Sequence, residues 1–158
     1  MPVIEAGFKH YDGMPDRKQL LLYGPTLRVS VGPYKMPEQP HELRVASTLA
    51  LIDTGAAASM IDNELAVNLG LIPVDKCIIA GAAGPTEHLV YMAAISIPEL
   101  GISQFGKFTG GNLRLGGVLQ NVLLGRDFLA NTIMIYDGVK AQITIISADQ
   151  YVPKRESV

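Results

Sequence analysis

Apolar and polar positions along this chain alternate mostly with the period of a β-strand. Leu27, Val29 and Val31 alternate with Arg28 and Ser30, as in a half-buried strand. The short apolar run Leu20–Tyr23 just before them reads as a strand as well. Leu43–Ile52 predicts a longer strand with Leu43, Val45, Leu49 and Leu51 on one face. Its other face turns apolar at Ala50 and Ile52, as in a strand that enters a core. Val74–Ala80 and His88–Ile97 flank Gly81-Ala82-Ala83-Gly84-Pro85 and read as a hairpin with a tip of small residues. A last hairpin is predicted over Thr132–Tyr136 and Gln142–Ile146, with Asp137-Gly138 as its turn signal.

Helical spacing is confined to short segments. Within Asp62–Leu69, Leu65 and Leu69 stand four apart, Ser59 or Asp62 is placed to cap, and Gly70 suits the exit. Val122-Leu123-Leu124-Gly125-Arg126-Asp127-Phe128-Leu129 reads as an apolar strand running into a short helix. Gly32–Pro40, with three prolines, reads as a loop, and Gly106–Gly117 as a surface loop with a short strand. Residues 1–17 are polar and turn-rich and receive no assigned structure. No repeat or linker divides the chain. The expectation is one compact all-β domain with one or two short helices.

Composition changes this picture little. A length of 158 residues suits one domain, and 48% hydrophobic residues suffice for its core. Charged residues make up 18%, below the roughly 25% of an ordinary soluble domain, which fits a surface partly covered by a partner. A net charge of -2 provides no general field for nucleic acid or anionic lipid, so neither is expected as a partner. Lys154-Arg155 reads as a solvated tail. The lone Cys77 excludes an internal disulfide framework, fits a reducing compartment, and reads as a small buried hydrophobe. Met1–Tyr11 lacks the pattern of a secretory signal, and no apolar run is long enough to span a bilayer. A cytoplasmic location is the expectation.

Most familiar chemistries find no residues. His10, His41 and His88 are scattered without metal-ligand spacing, and His88 reads as a solvent-facing strand residue. Nucleophile-elbow, Walker and dinucleotide signatures are missing, and no cofactor is expected. Asp53 is different, because a strand apolar on both faces carries this carboxylate towards the interior, where an unpartnered charge is costly. Asp53-Thr54-Gly55 by itself describes a tight turn equally well. About seventy residues later, however, Val122-Leu123-Leu124 ends in Gly125 at a helix start. With the hairpin between them, these segments resemble the retropepsin-like aspartic proteases, the retroviral-type, single-domain family. The matching pieces are LALIDTGAAAS at 49–59, IIAGAAGPTEHLVY at 78–91 and VLLGRDFL at 122–129, in the family's order within residues 43–146.

The resemblance implies a closed, folded β-sheet half-domain that assembles as a two-fold homodimer. It makes Asp53 the catalytic aspartate, Thr54 a hydrogen-bonding residue across the dimer axis, and Gly55 the point of close backbone approach. Gly125 would leave room for the catalytic loop, and Arg126 would be a structural ion-pair residue below the site. Gly81, Ala82, Ala83, Gly84 and Pro85 would form a flap over the substrate, stiffened by Pro85. Ile79, Ala82, Ala83 and Val122 are candidate pocket residues. Ala57 and Ala58 stand where retroviral relatives typically carry acidic residues, so the partner of Arg126 is open, with Asp62 as a candidate. The implied division is an N-terminal extension with first strands at 1–40, a protease domain at 41–150 and a tail at 151–158.

The implied reaction needs two carboxylates, one ionised to take a proton from water and one protonated to donate to the substrate oxygen. The sequence contains one Asp-Thr-Gly, so the second aspartate must come from another copy of the chain. The expected activity is that of an aspartic endopeptidase on an extended peptide or protein substrate. The alternative is a catalytically weak or inactive dimeric peptide-binding module of the same fold.

Overall fold

The computed structural model describes residues 2–34 and 45–147. Its strands are β1 (Val3–Glu5), β2 (Thr26–Pro33), β3 (Ala46–Ile52), β4 (Met60–Asp62) and β5 (Pro73–Gly81). They continue with β6 (Gly84–Ile97), β7 (Ile102–Gly111), β8 (Val122–Leu124), β9 (Thr132–Asp137) and β10 (Gln142–Ser147). Helices α1 (Arg17–Tyr23), α2 (Asn63–Asn68) and α3 (Arg126–Leu129) are short, and a 3-10 turn spans Pro98–Leu100. The protein is mostly β, as the alternation predicts, but the described residues hold three short α-helices rather than one or two.

Seven strands form one sheet in the order β2-β3-β8-β4-β7-β6-β5, and an added β2–β6 pairing closes six of them into a ring. β6 makes this possible by its length of 14 residues. Its first part pairs with β5 from Gly84 to Tyr91, and Ala93–Ser96 pair with Pro33–Ser30 of β2. The β5–β6 hairpin therefore projects from a closed body, and every residue of β5 is exposed or half-buried. Inside the ring lie Val29, Val31, Ala50, Ile52, Ile61, Ile95, Phe108, Val122 and Leu124, all buried. A separate three-stranded sheet, β1-β10-β9, is wholly antiparallel and adds Ile143 and Ile145 to the same core.

Several sequence expectations are corrected here. Leu20–Tyr23 is not a strand but the end of α1: Asp16 caps the helix by accepting from Gln19 N at 3.0 Å, and Leu20 is its buried residue. Part of residues 1–17 is ordered as β1, with Val3 opposite Ile146. The stretch from Gly106 is largely strand, since β7 runs to Gly111 before the turns begin. In β3 the buried face is Thr48, Ala50 and Ile52, whereas Leu49 and Leu51 are half-buried and Val45 is exposed. Leu43, His41, the rest of the proline-rich loop and Lys154-Arg155 lie outside the described residues.

The α2 and α3 readings match the structure, with Asp62 rather than Ser59 as the α2 cap through Glu64 N at 3.0 Å. Gln120 is buried and donates from Nε2 to Tyr23 O at 2.9 Å and Thr26 Oγ1 at 2.6 Å, tying the end of α1 to the approach to β8. Among the described residues no helix is long and apolar enough to cross a membrane.

Candidate active site

β3 and β8 run parallel with Ile52 opposite Leu124, and both end at the same level. Asp53 N donates to Leu124 O at 2.9 Å just beyond that register. The chain then turns on itself: Gly55 N donates to Asp53 Oδ1 at 2.8 Å and Ala56 N to Asp53 O at 3.3 Å. This is the turn an aspartate makes when its side chain bonds the backbone two residues on, and it fixes the direction of the half-buried carboxylate.

The turn is laced to the start of α3. Arg126 N donates to Ala56 O at 2.9 Å, and Asp127 N to Ala57 O at 3.2 Å. Gly125 lies so close that an added Cβ would stand 2.8 Å from Ala58 C and 3.0 Å from Ala56 O. The Arg126 guanidinium donates from Nη1 to Thr54 O and to Gly55 O, each at 2.9 Å. It therefore grips carbonyls of the Asp53 turn rather than a carboxylate. Asp62, the candidate partner, is engaged elsewhere, accepting from Glu64 N and Arg114 N at 3.0 Å each.

Two residues complete this junction in roles the sequence does not suggest, Ser59, a candidate cap of α2, and Asp127, one residue of the apolar strand-to-helix run. Ser59, almost fully buried, donates from Oγ to Asp127 Oδ1 at 2.7 Å and accepts from Gly125 N at 3.0 Å. Asp127 also accepts from Ser59 N at 3.0 Å, Phe128 N at 2.8 Å and Gln104 Nε2 at 3.2 Å. Partial burial pushes its carboxyl up, but the Ser59 backbone and hydroxyl bonds, with those from Phe128 and Gln104, outweigh this and hold it below the ordinary value. The signal was present in the sequence as a serine six positions after Asp53 and an aspartate two after Gly125.

The hairpin has Gly81 opposite Gly84, with Ala82 and Ala83 exposed at the tip and Gly84 at φ +103°. Pro85 is exposed opposite Ala80, and Ile79 is half-buried opposite Thr86. Val122 is fully buried in the ring, so it is core and not pocket. His88 is not simply solvent-facing. It is half-buried, its Nδ1 donates to Gly110 O at 2.8 Å, and its Nε2 lies 2.7 Å from Thr86 Oγ1. Cys77, opposite His88, is half-buried with its Sγ 3.8 Å from Thr109 Oγ1. Thus the fold joins Asp53, Thr54 and Gly55 to Gly125 and Arg126 in one cluster. The residues Ile79 and Gly81–Pro85 belong to the projecting hairpin. No group of three or more His, Cys, Asp or Glu among the described residues is arranged to hold a metal.

Among solved structures, the chain is similar to a retropepsin-like aspartic protease from Rickettsia conorii. The TM-score is 0.50 at 17% identity, over 90% of this chain and 89% of that one. The fold is retropepsin-like. The EIAV protease in complex with an inhibitor is also similar, at a TM-score of 0.46 and 20% identity, over 67% of this chain and 85% of that one. No protein-family model and no curated protein matches the sequence.

Proposed function

We propose that this retropepsin-like chain is one half of an aspartic endopeptidase whose two catalytic carboxylates are Asp53 from each of two copies. The observation that carries the reading is the junction at the ends of β3 and β8, where Asp53 is oriented by Gly55 N and held by Leu124 O. A conformationally fixed carboxylate at the end of a buried strand suits a dyad better than an ordinary surface turn. Two carboxylates held about 3 Å apart cannot both ionise, so they share one proton. The pair then titrates as a unit. The ionised member takes a proton from the attacking water, and the protonated member donates to the carbonyl oxygen as the tetrahedral centre forms.

The supporting roles follow from position. Thr54 bonds across the two-fold axis, Gly55 allows the close approach of the two turns, and Gly125 leaves room for Ala56–Ala58. Arg126 braces the turn through its carbonyls. Gly81, Ala82, Ala83, Gly84 and Pro85 close over an extended peptide, and Ile79 contributes to a side-chain pocket. Residues 41–150 carry the proposed catalytic residues, 1–40 contribute β2 to the closed ring and β1 to the second sheet, and 151–158 are a tail. The lone cysteine and modest charge suit a cytoplasmic protein.

The test is a peptide-library digest at acid to mildly acid pH with the wild type and Asp53→Asn. The wild type cleaves, a statine-type peptide inhibits it, and the variant loses at least about a hundredfold in rate, the scale of a missing general acid–base group. Equal cleavage by the variant contradicts the reading. Exposed Ala57 and Ala58, beside the turn, favour one second reading, a peptide-binding module with little turnover. Peptide binding by the wild type with no cleavage across the acid and neutral range selects that one instead.

A further inference from the structure

The projecting hairpin is joined to the ring by side chains as well as by backbone. The β6–β7 ladder begins at Val90, opposite Thr109. From Gly84 to Leu89, among the described residues, β6 has β5 alone as a strand neighbour. His88 lies two residues beyond the last rung and is half-buried. Its Nδ1 stands 2.8 Å from Gly110 O. A carbonyl oxygen only accepts, so Nδ1 carries the proton, and in the neutral ring Nε2 is then an acceptor. The Thr86 hydroxyl, 2.7 Å from Nε2, donates to it. Gly110 O, His88 and Thr86 thus form a chain that continues outward where the ladder has stopped.

The inner end of this chain is a fixed point. Gly110 pairs with Ile61 of β4, and a Cβ there would meet Asn63 Oδ1 and stand 2.6 Å from Tyr91 Cε2. Tyr91 is itself buried, and its hydroxyl donates to Asn63 Oδ1 at 3.1 Å. The outer end is Thr86, opposite Ile79 in the part of the hairpin assigned to the substrate. The other side-chain links of the hairpin are weaker. Lys76–Glu87 at 2.9 Å joins its two strands and Lys107–Asp75 at 3.0 Å reaches its base, but both pairs are exposed and screened by water. Cys77 places its Sγ 3.8 Å from Thr109 Oγ1, and a thiol is a poor hydrogen-bonding group.

We propose that His88 and Thr86 are positioning residues for substrate binding, which together set the point where the hairpin hinges. The role toward substrate rests on the endopeptidase reading; the anchoring of the hairpin does not. A two-stranded hairpin by itself is marginally stable in water. The His88–Thr86 chain holds its stem to the immobile Gly110 and leaves Ala80–Pro85 as the segment that moves. Without the chain, the moving arm begins at Val90. Its tip then samples more positions, and more of the binding free energy goes into ordering it over a peptide. The loss falls on KM, whereas kcat, set at Asp53, changes little.

Amide hydrogen exchange of the full chain, read by mass spectrometry, tests the anchor without reference to activity. His88→Ala speeds exchange over Lys76–Ile79 and Thr86–Leu89 by at least about fivefold, the weight of one lost hydrogen bond. Ala93–Ser96, clamped by β2, changes by less than about twofold. His88→Asn keeps an amide donor near the place of Nδ1 and recovers protection at the base of the stem. Thr86→Val, at an exposed position, loosens the outer stem alone and serves if His88→Ala fails to fold. Protection unchanged in both His88→Ala and Thr86→Val overturns the proposal, as does faster exchange spread equally over Ala93–Ser96. In cleavage assays His88→Ala raises KM at least about threefold with kcat within about twofold, and His88→Asn recovers most of the loss. Faster exchange with an unchanged KM removes the positioning role. A chain that cleaves nothing removes the endopeptidase reading alone, and the anchor then stands or falls on the exchange result.

Discussion

The Ser59 hydroxyl donates to Asp127 Oδ1 at 2.7 Å, joining residues 68 positions apart. The same oxygen accepts from Gly125 N, so one serine ends the loop that begins at Asp53 and fixes where α3 starts. Ser59→Ala leaves the buried Gly125 N–H without its acceptor and should cost about 2 kcal/mol. Ser59→Thr, which keeps the hydroxyl, loses less. Urea denaturation of the two variants checks the difference.

Asp127 gives this junction a pH dependence. Its folded pKa lies below the ordinary 3.8. Its contribution is therefore fully present above that value and disappears as pH falls through the lower, folded value. Asp127→Asn should be less stable than the wild type near neutrality, with the gap closing in strongly acid solution. A gap that stays constant over that range, measured by thermal unfolding, contradicts the assignment.

Gly125→Ala meets backbone, which cannot rotate away as a side chain can. The new methyl would stand 2.8 Å from Ala58 C and 2.9 Å from Ala58 O. Overpacking of this kind costs about 1–3 kcal/mol. Because the loop that must shift begins at Asp53, peptide cleavage should fall by more than the loss of folded protein explains. Parallel measurement of activity and unfolding midpoint separates the two.

Arg126 makes both of its loop bonds from one nitrogen, not from the two-pronged fork of the guanidinium. A lysine ammonium can supply a single-point donor of that kind. Arg126→Lys should retain most activity, whereas Arg126→Gln should lower kcat/KM about tenfold while costing only about 1 kcal/mol of stability, as befits an exposed site. Loss of activity in the lysine variant equal to that in the glutamine variant would show that the fork itself is needed.

Gly84 sits at φ +103° with open space where a Cβ would go. The obstacle to Gly84→Ala is therefore backbone strain, of order 1–3 kcal/mol, not a clash. The tip is exposed and projects from the ring, so the strain should be relieved locally. The expected outcome is a raised KM with little change in unfolding midpoint.

What the sequence disclosed and what it hid have physical reasons. Strands whose alternation met a core on one side, such as Leu27–Val31, were plain. At Asp53 the strand end is legible, but Asp53-Thr54-Gly55 alone describes a turn equally well, and it is Val122-Leu123-Leu124-Gly125 further along that points to the junction. The α1 helix was not plain, since the run Leu20–Tyr23 shows no helical period and buries Leu20 as its core contact. The cap at Asp16 was its better signal. β7 was hidden by its glycines. Gly110 and Gly111 sit where Asn63, Tyr91 and Met60 leave no room for a Cβ, so there the residue marks close packing and not a loop. The β3 faces were inverted because Leu49 and Leu51 lie on a side that is covered only in part. Ser59 and Asp127 were missed as partners because nothing in either local pattern points to a residue so distant in the chain.

The division of β6 between two neighbours has a mechanical meaning. From Gly84 to Tyr91 it is bound to β5 in the projecting hairpin; from Ala93 onward it is clamped by β2 in the closed ring, with β7 alongside from Val90. It is a cantilever, anchored at one end in a rigid wall and free at the other. One-sided support by β5 gives way to two-sided support at Val90, where β7 joins, and His88 Nδ1 ties the arm to Gly110 O; bending is therefore concentrated beyond His88, towards the tip, and leaves the barrel that holds Asp53 undisturbed.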